Sequence, residues 1–448
     1  MKTYCKHLVV ADTEKIYCAI TEYMRNKWRK NSTIRFYACY SGRSREYIKE
    51  HLKPGEEFWV QINEKLADEM AEHIRNRTVR EHLYQHCYDE PLIRYTKIND
   101  PGSGKERILG LETVLFRLYE VIAEKAAEPM FNAKIGTYQV ASIKGRGQNY
   151  GKKAVKRWLS TDVDGTKYHV TADVRQCYPS IQHSKLRELL HRDLRKSDEL
   201  LYLFDTFLGL YEEWPNPKTQ NANCGILIGS PVSKDLCNYF LSYAYHYASE
   251  RLVKKVYRRG KEKVMRLVCH VVFYMDDIVL YVKSKKDAHL VIRMMAKYFK
   301  EFLGLELKEN WIVSKTMYGK EQKIFGCLLD FMGIRFHGGT IAVKEYFGKK
   351  IKIRKTWTTI RRRIFLGARR KFAKFIKCVK RKERVGIRFV RGLTSQFGWF
   401  KNTNMARYRK KQKVDCIMKI ARKMISDYDK NVDYDAKKYY KMWRKLYV

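Results

Sequence analysis

Residues 270–281, HVVFYMDDIVLY, place two adjacent carboxylates at the centre of an apolar run. The β-branched and aromatic residues on either side are typical of strands, and the intervening MDD predicts a tight hairpin whose turn presents Asp276 and Asp277. Each of two neighbouring carboxylates raises the free energy needed to ionise the other. Acidic residues are also common at turns for purely local reasons, so the pair alone does not establish a functional site.

A third carboxylate lies upstream, in KYHVTADVRQCYPSI at residues 167–181. The alternation predicts a strand that ends at Asp173, with Thr171 and Asp173 on the same face. If this strand pairs beside the hairpin, Asp173 meets Asp276. Carboxylate oxygens are the ligands preferred by Mg²⁺ and Mn²⁺, and two such ions about 4 Å apart support in-line displacement at phosphorus. The three residues therefore predict a site for two divalent cations.

The composition indicates a folded protein with a polyanionic partner. The 448 residues include 92 Lys and Arg against 48 Asp and Glu, a formal net charge of +44, and 45% of them are hydrophobic. This hydrophobic content argues against a disordered chain. The positive excess is larger than solubility requires and favours nucleic acid, with an anionic membrane surface as the competing partner.

The cysteines, the N-terminus and the hydropathy all favour a cytoplasmic protein. The eleven cysteines show no CxxC pair, which fits reduced thiols better than a disulfide framework or a zinc site. The N-terminal MKTYCKHLVVADTEK lacks an export signal, and no run approaches 18 apolar residues, so we expect no membrane partner. The twelve histidines show no HExxH signature and are expected to be structural or superficial.

Both ends of the chain have helical patterns. Apolar residues at three-to-four spacing predict a helical extension over residues 1–88. Residues 349–384 contain 17 Lys or Arg and one acid, Glu383. Within this basic segment the apolar residues that recur at helical spacing are Ile364, Ala368, Phe372, Phe375, Ile376 and Val379. They predict a helix that packs by one face and presents its basic face to a phosphate backbone.

The order of the motifs between residues 90 and 345 resembles that of the reverse transcriptases. YMDD at 274–277 resembles the family's catalytic box. The other matching segments, in chain order, are GKERILGLETVLFRL (104–118), DVRQCYPSI (173–181), GILIGSPVSKDLCNYFL (225–241), GLELKENWIVSKT (304–316) and LDFMGIRF (329–336). SQFGWFKNTNMARY at 395–408 is similar to a thumb segment.

The resemblance implies an α+β right-hand polymerase with fingers, a ferredoxin-like antiparallel palm and a helical thumb. It divides the chain into an N-terminal helical extension at 1–88, fingers at 89–165, a palm at 166–345 and a basic helical thumb with a C-terminal extension at 346–448. The palm is expected to include the YMDD hairpin and the primer grip.

The resemblance also implies catalytic roles. Asp173, Asp276 and Asp277, with the carbonyl of Val174, would hold two Mg²⁺ ions, and Mn²⁺ would suit the same oxygens. Lys315 would assist the departure of pyrophosphate.

Nucleotide-binding residues are implied in three segments. Lys105 and Arg107 would meet the incoming triphosphate, and Ile228 and Gly229 would lie beside the nucleotide. Tyr178 would form a steric gate against a 2′-hydroxyl, so the product is expected to be DNA.

Contacts with nucleic acid are expected from two parts of the chain. Arg146 lies in a glycine-containing basic loop, where it either clamps the template or the triphosphate or is simply solvated. Ser233 lies in the middle motif, the segment at residues 225–241. The basic segment contributes Arg361, Arg362, Arg369, Arg370 and Lys374.

The lineage within the family is open. The segment IGSPVS resembles the corresponding segment in the enzymes of diversity-generating retroelements. In this chain Ile228 stands where many other family members have a glutamine. The two extensions instead resemble phage-defence reverse transcriptases, which copy a dedicated noncoding RNA and are related to group II intron and retron enzymes. We favour defence, in a bacterial or phage-encoded protein; an error-prone retroelement enzyme and an inactive RNA-binding scaffold are the alternatives. RNA synthesis on an RNA template is disfavoured by Tyr178.

The expected partners are an RNA template, a DNA product and dNTPs. A homo-oligomer or an accessory protein is left open, as is the primer, which could be an RNA hydroxyl, DNA or a protein hydroxyl.

Overall fold

The structure is a computed structural model, and it describes residues 2–99, 106–219, 221–321, 323–430 and 432–447. The predicted nucleotide-binding residue Lys105 lies outside these ranges. Helices and strands are both abundant, which fits the predicted α+β class. No helix among the described residues is long and apolar enough to cross a membrane.

The helices and strands follow one another along the whole chain. The helices are α1 (Thr13–Met24), α2 (Asn31–Ser41), α3 (Arg45–His51), α4 (Glu57–Arg75), α5 (Val79–Gln85), α6 (Val114–Lys134), α7 (Gln148–Thr161), α8 (Cys177–Ser180), α9 (His183–Leu194), α10 (Asp198–Glu213), α11 (Ser233–His246), α12 (Lys285–Tyr298), α13 (Arg362–Lys380), α14 (Ile387–Lys401), α15 (Ala406–Lys411), α16 (Val414–Asp429) and α17 (Ala436–Tyr447). Single π-helical turns follow α11 and α12, at Tyr247–Arg251 and Phe299–Leu303. The strands are β1 (Ile93–Asn99), β2 (Glu106–Glu112), β3 (Tyr168–Asp173), β4 (Val253–Arg258), β5 (Lys261–Arg266), β6 (His270–Tyr274), β7 (Asp277–Val282), β8 (Ile312–Lys315), β9 (Tyr318–Lys320), β10 (Lys323–Phe325), β11 (Leu329–Phe331), β12 (Ile334–Tyr346) and β13 (Lys349–Ile360).

The chain divides into two compact units, each made of three segments. Unit 1 consists of Met1–Lys144, Ala172–Ile278 and Leu290–Trp311. Unit 2 consists of Gly145–Thr171, Val279–His289 and Ile312–Val448. The three carboxylates of the predicted cation site all belong to unit 1.

The N-terminal part of unit 1 is helical, as its apolar spacing predicts. The first helix begins after Asp12, whose carboxylate accepts a hydrogen bond of 3.1 Å from the amide of Lys15. The longest helix of the extension, α4, buries one continuous face formed by Trp59, Ile62, Leu66, Met70 and Ile74. This face supplies the apolar burial that stabilises the extension.

A four-stranded sheet contains the strand and the hairpin that present the carboxylates. Its strand order is β6-β7-β3-β8, and β3 pairs antiparallel with β8, with Tyr168 opposite Lys315. Helices α8 to α11, followed by the hairpin of β4 and β5, connect β3 to β6, and α12 connects β7 to β8. Apart from the inserted hairpin, the connectivity is the β-α-β-β-α-β pattern expected of a ferredoxin-like sheet. The turn between β6 and β7 contains Met275, with φ of +53°, and Asp276. The hairpin predicted from the sequence is therefore present.

Unit 2 contains a long two-stranded hairpin, formed by β12 and β13, that the sequence analysis did not predict. The two strands pair from Ile334 opposite Ile360 to Tyr346 opposite Lys349. The expectation that residues 346–448 are helical throughout is therefore wrong for β13. The segment KKIKIRKTWTTI alternates lysine or arginine with isoleucine and ends in β-branched and aromatic residues, a pattern that favours a strand.

The C-terminal part of unit 2 is a bundle of helices α13 to α17. Helix α13 buries Ala368, Phe372, Phe375 and Val379, four of the six residues whose spacing predicts it. Further core residues come from the other helices, among them Leu393, Phe400, Ile417 and Met418. The part of the basic segment from Arg362 onward therefore forms a helix with one buried face, as its apolar spacing predicts.

Candidate active site

The end of strand β3 and the turn of the β6–β7 hairpin lie side by side in unit 1. The amide of Val174 donates a hydrogen bond of 3.1 Å to the carbonyl of Asp276. This bond brings Asp173, the last residue of β3, next to the turn. Burial raises the pKa of Asp276, and the negative charge of Asp173 raises it further. The two carboxylates predicted to converge therefore lie close enough to interact.

Asp277 completes the acidic group as the first residue of β7, and it is half-buried. Burial, with the charge of Asp277 as the next cause, raises the pKa of the Tyr274 hydroxyl. The four residues of the YMDD box thus form the end of one strand, a turn and the start of the next strand.

Lys308 compensates part of the negative charge. Its ammonium forms an ion pair with Asp173 Oδ1, and its backbone amide donates a hydrogen bond of 2.8 Å to the carbonyl of Asp173. Lys308 and Arg107 both lower the pKa of Asp276 and so oppose the effect of burial. The sequence analysis selected Lys315 from this motif and missed Lys308, because residue spacing alone does not give the strand register.

The donor atoms fit divalent cations. Asp173 Oδ1 is buried, and it faces the Lys308 ammonium. Val174 and Leu307 form an isolated antiparallel β-bridge, whose backbone hydrogen bonds use the Asp173 carbonyl and the Arg175 amide. The Val174 carbonyl takes no part in this bridge. Carboxylate and carbonyl oxygens grouped in this way suit a hard cation such as Mg²⁺.

Tyr178 lies beside the turn. It belongs to the short helix α8, and its hydroxyl is 3.9 Å from the sulfur of Met275. Burial raises the pKa of this hydroxyl, and the nearby thiols of Cys237 and Cys177 and the charge of Asp276 raise it further. The ring of Tyr178 thus lies close to the turn and to the Asp276 carboxylate.

The loop that carries Ile228 and Gly229 packs against strand β2. The amide of Gly110 donates a hydrogen bond of 3.1 Å to the carbonyl of Ile228. Gly229 has φ of +114°, and a Cβ there would lie 3.2 Å from the Gly110 carbonyl oxygen. Strand β2 also carries Arg107, whose charge acts on Asp276. The described nucleotide-binding candidates and the carboxylates therefore belong to one region of unit 1.

The predicted nucleic-acid contact of Ser233 is not supported. Its side chain is 1% exposed because Ser233 begins helix α11 on the face that packs into the core. In the same helix, the Asn238 amide donates hydrogen bonds to the carbonyls of Ala141 and Lys234, at 3.1 and 3.0 Å. The middle motif therefore holds the start of α11 in place, and its serine side chain does not reach the surface.

Lys315, Arg146 and Arg361 belong to unit 2. The exposed Lys315 ammonium donates a hydrogen bond of 3.2 Å to the Tyr318 hydroxyl. Arg146 lies half-buried in the loop that precedes α7. Arg361 precedes α13, and its guanidinium lies 2.7 Å from Asp330 Oδ1. Because of this ion pair, part of the charge of Arg361 is used within the protein.

The remaining basic candidates lie on the outer face of α13. Arg362, Arg369, Arg370 and Lys374 are all exposed, whereas Ala368 and Phe372 on the same helix are buried. The side chains predicted to contact a phosphate backbone are therefore accessible.

Comparison with known protein families gives an independent result. A family model described as reverse transcriptase (RNA-dependent DNA polymerase) matches residues 98–323, just over half of the chain. The matched segment contains the three carboxylates, Tyr178 and the Gly229 loop. No curated protein matches the chain.

Proposed function

The chain belongs to the reverse transcriptase family and is an RNA-directed DNA polymerase, and from this premise we propose that Asp173, Asp276 and Asp277 hold two Mg²⁺ ions with the Val174 carbonyl. The observation that carries this proposal is the hydrogen bond of 3.1 Å between Val174 and Asp276, which joins the ends of two distant segments. Bound Mg²⁺ would lower the pKa of the attacking hydroxyl and stabilise charge on the leaving pyrophosphate, and Mn²⁺ suits the same ligands.

The protein's own residues prepare this site. Lys308 fixes the position of the Asp173 carboxylate through the ion pair and the backbone bond. Arg107 and Lys308 lower the pKa of the buried Asp276 and so favour its anionic form, which is the form that binds a cation. The polymerase then needs little covalent chemistry from the protein, because positioning and charge stabilisation supply most of the catalysis.

We assign nucleotide binding to the hairpin of β1 and β2 and to the Gly229 loop. Arg107 would contact the triphosphate together with Lys105, and Ile228 and Gly229 would lie along the base or sugar. The close approach of Gly229 to Gly110 supports this assignment, because it joins the loop to the strand that carries Arg107. Tyr178 would select deoxyribonucleotides by occupying the space that a 2′-hydroxyl needs.

Template and product would be bound by basic residues of unit 2. The exposed basic face of α13 supports contacts with the phosphate backbone, and Arg146 is a further candidate. Lys315 remains our candidate for assisting pyrophosphate release. In this scheme residues 89–165 serve as fingers, 166–345 as palm and 346–448 as thumb with its extension.

The biological role that we propose is defence against phage, by copying a dedicated noncoding RNA. The helices of residues 13–85 and the helical bundle from Arg362 onward support this role, because they lie outside the matched polymerase segment and offer room for such an RNA. We place the protein in the cytoplasm, where buried thiols such as Cys177 and Cys237, with sulfurs 3.7 Å apart, stay reduced.

An error-prone enzyme of a diversity-generating retroelement is the second candidate. Ile228 favours it, because a branched alkyl side chain provides none of the hydrogen bonds that a glutamine offers for checking base pairing. The two candidates differ in their products. A defined RNA copied in one fixed window supports the defence role, and a copy rich in substitutions at adenines supports the retroelement role.

The catalytic proposal is tested with the double variant Asp276→Asn and Asp277→Asn. We expect incorporation of dNTPs on a primed RNA to fall to background, with RNA binding kept within about twofold, because both changes are isosteric and leave every basic side chain in place. Asp68→Asn with Asp433→Asn is the matched control, since both residues are exposed and the charge change is the same.

Normal synthesis by the Asp276 and Asp277 variant would refute the proposed cation site. Sequencing the RNA that co-purifies with the protein, and the DNA made from it, would then separate the two biological roles.

A further inference from the structure

A second group of possible metal ligands lies in the N-terminal extension of unit 1, outside the matched polymerase segment. It consists of Glu69 on helix α4, His82 on helix α5 and His86 directly after α5. One ligand atom from each residue lies within 4.8 Å of the others. His82 and His86 are four residues apart, the spacing at which two histidines on a helix reach one metal ion.

His82 gives the strongest indication of a ligand. Its side chain is 1% exposed, and its Nδ1 lies 2.7 Å from the Tyr119 hydroxyl. Its Nε2 is buried, has no hydrogen-bond partner among the described residues, and lies 3.9 Å from Glu69 Oε2. That separation is too long for a hydrogen bond. The buried His82 Nε2 therefore faces the Glu69 carboxylate without forming a hydrogen bond to it.

The other two residues are held by their own partners. Nδ1 of His86 lies 2.7 Å from the Tyr88 hydroxyl, so its Nε2 is the nitrogen available as a ligand. The Tyr40 hydroxyl donates a hydrogen bond of 2.8 Å to Glu69 Oε2. Hydrogen bonds of this kind orient metal ligands in known sites and fix which ring nitrogen faces the metal.

We propose that Glu69, His82 and His86 form a Zn²⁺ site that joins helices α4 and α5. Two imidazoles and one carboxylate are a ligand set that Zn²⁺ accepts, with one tetrahedral position left for water. The set differs in kind from the polymerase site, where all donors are oxygens and Mg²⁺ is favoured. The alternative is a cluster of aromatic and acidic side chains without metal, in which His82 Nε2 stays unsatisfied.

The experiment measures Zn²⁺ binding to the full chain after removal of bound metal with a chelator. Zn²⁺ is titrated in competition with a chromophoric chelator, in millimolar Mg²⁺ so that oxygen-only sites are saturated. We expect one equivalent of Zn²⁺, a Co²⁺ absorption spectrum of tetrahedral type, and a higher melting temperature with Zn²⁺.

Variants identify the ligands. Glu69→Gln and His86→Gln should each weaken Zn²⁺ binding by more than the roughly ten- to hundredfold loss typical of changing an outer partner. Both positions are only partly buried, so the fold should survive, and circular dichroism checks this. His191→Gln is the matched control, because His191 also faces a carboxylate, with Nε2 at 2.7 Å from Asp205, but lies outside the cluster. It should bind Zn²⁺ as the wild type does.

Three outcomes would overturn the proposal. They are no stoichiometric Zn²⁺ in the wild type, full retention of Zn²⁺ by both ligand variants, and loss of the Zn²⁺ signal in the Asp276→Asn, Asp277→Asn variant. The last outcome would assign the signal to the polymerase carboxylates instead, and it leaves the proposed catalytic function intact.

Discussion

The hydroxyl of Tyr178 lies 3.9 Å from the sulfur of Met275, the residue that begins the turn between the two strands of the YMDD hairpin. A side chain upstream of the hairpin is thereby held against the turn that carries the carboxylates. The ring therefore lies beside this turn, and its position leads to the first prediction.

Replacing Tyr178 with alanine should increase the use of ribonucleotides. Removal of the ring opens the space that a 2′-hydroxyl needs, so the preference for dNTPs over rNTPs should fall by at least about tenfold, equivalent to about 1.4 kcal/mol. The measurement is kcat/KM for both nucleotide types on one primed RNA. Tyr178→Phe is the control, because it keeps the ring and should keep the preference. An unchanged preference in the alanine variant would exclude the gate.

Gly229→Ala should impair both folding and synthesis. At φ of +114° a Cβ is strained, and it would lie 3.2 Å from the Gly110 carbonyl oxygen. We expect a loss of about 1 to 3 kcal/mol in the free energy of unfolding and at least about tenfold lower incorporation. Gly209→Ala in helix α10 is the control, since nothing lies within 4 Å of its Cβ, and it should leave stability equal or slightly higher. Equal behaviour of the two variants would contradict a role for the Gly229 backbone.

The triple variant Arg369→Ala, Arg370→Ala and Lys374→Ala should bind RNA with a weaker dependence on salt. Each lost phosphate contact reduces the magnitude of the slope of log K against log salt by about 0.7 to 0.9. Loss of three contacts should therefore reduce this magnitude by about 2 to 3. Binding isotherms between low and moderate salt measure it.

The control for the triple variant is Arg43→Ala, Arg45→Ala and Lys49→Ala, which removes the same charge from exposed positions on or next to α3. A purely long-range charge effect predicts equal changes in the two triples. Only a larger change in the α13 variant supports direct binding of RNA by this helix.

Asp427 should stabilise the C-terminal bundle in a pH-dependent way. Lys423 and Lys438 contact it at 2.9 and 3.0 Å, and the Tyr439 hydroxyl donates to it at 3.0 Å. The hydrogen bond from Lys423 is the largest of the interactions that lower its pKa to about 2, below the value of about 4 for an unfolded chain. The folded state therefore gains its full stabilisation above about pH 4 and loses it as the pH falls towards 2.

Asp427→Asn should lower the free energy of unfolding at pH 7 by about 1 to 2 kcal/mol, the range for charge-assisted hydrogen bonds after allowance for the solvent around the lysines. Urea unfolding at several pH values measures this, and the difference from wild type should shrink below about pH 4. Asp433→Asn, at an exposed position, should change stability by less than about 0.5 kcal/mol. A difference that persists unchanged at low pH would contradict the assigned charge interaction.

The parts of the fold that follow from local pattern were predictable. The hairpin around Asp276, the strand that ends at Asp173 and the buried face of α13 depend on alternation or helical spacing within a few residues. Strand β13 carries the same kind of local signal, but its high density of lysine and arginine favoured the interpretation as a basic helix.

The parts that depend on distant pairing were not predictable. Nothing in the residues near Lys308 says that the chain there crosses Asp173. Ser233 lies in a segment that resembles a polymerase motif, yet it is buried in the core at the start of helix α11. His82 and His86 have a visible spacing, but Leu83 follows the first histidine where the HExxH signature has glutamate, and Glu69 comes from another helix.

The interleaving of the two compact units constrains how the protein matures on the ribosome. Gly145–Thr171 emerges early, yet most of the residues with which it folds are translated after Trp311. Unit 1 likewise lacks its last segment until Leu290–Trp311 has been made. Neither unit can be completed before the other is partly synthesised. The two units therefore cannot fold one after the other during translation, as consecutive domains usually do. A cut between Gly145 and Trp311 separates segments of both units, so fragments divided there should express poorly.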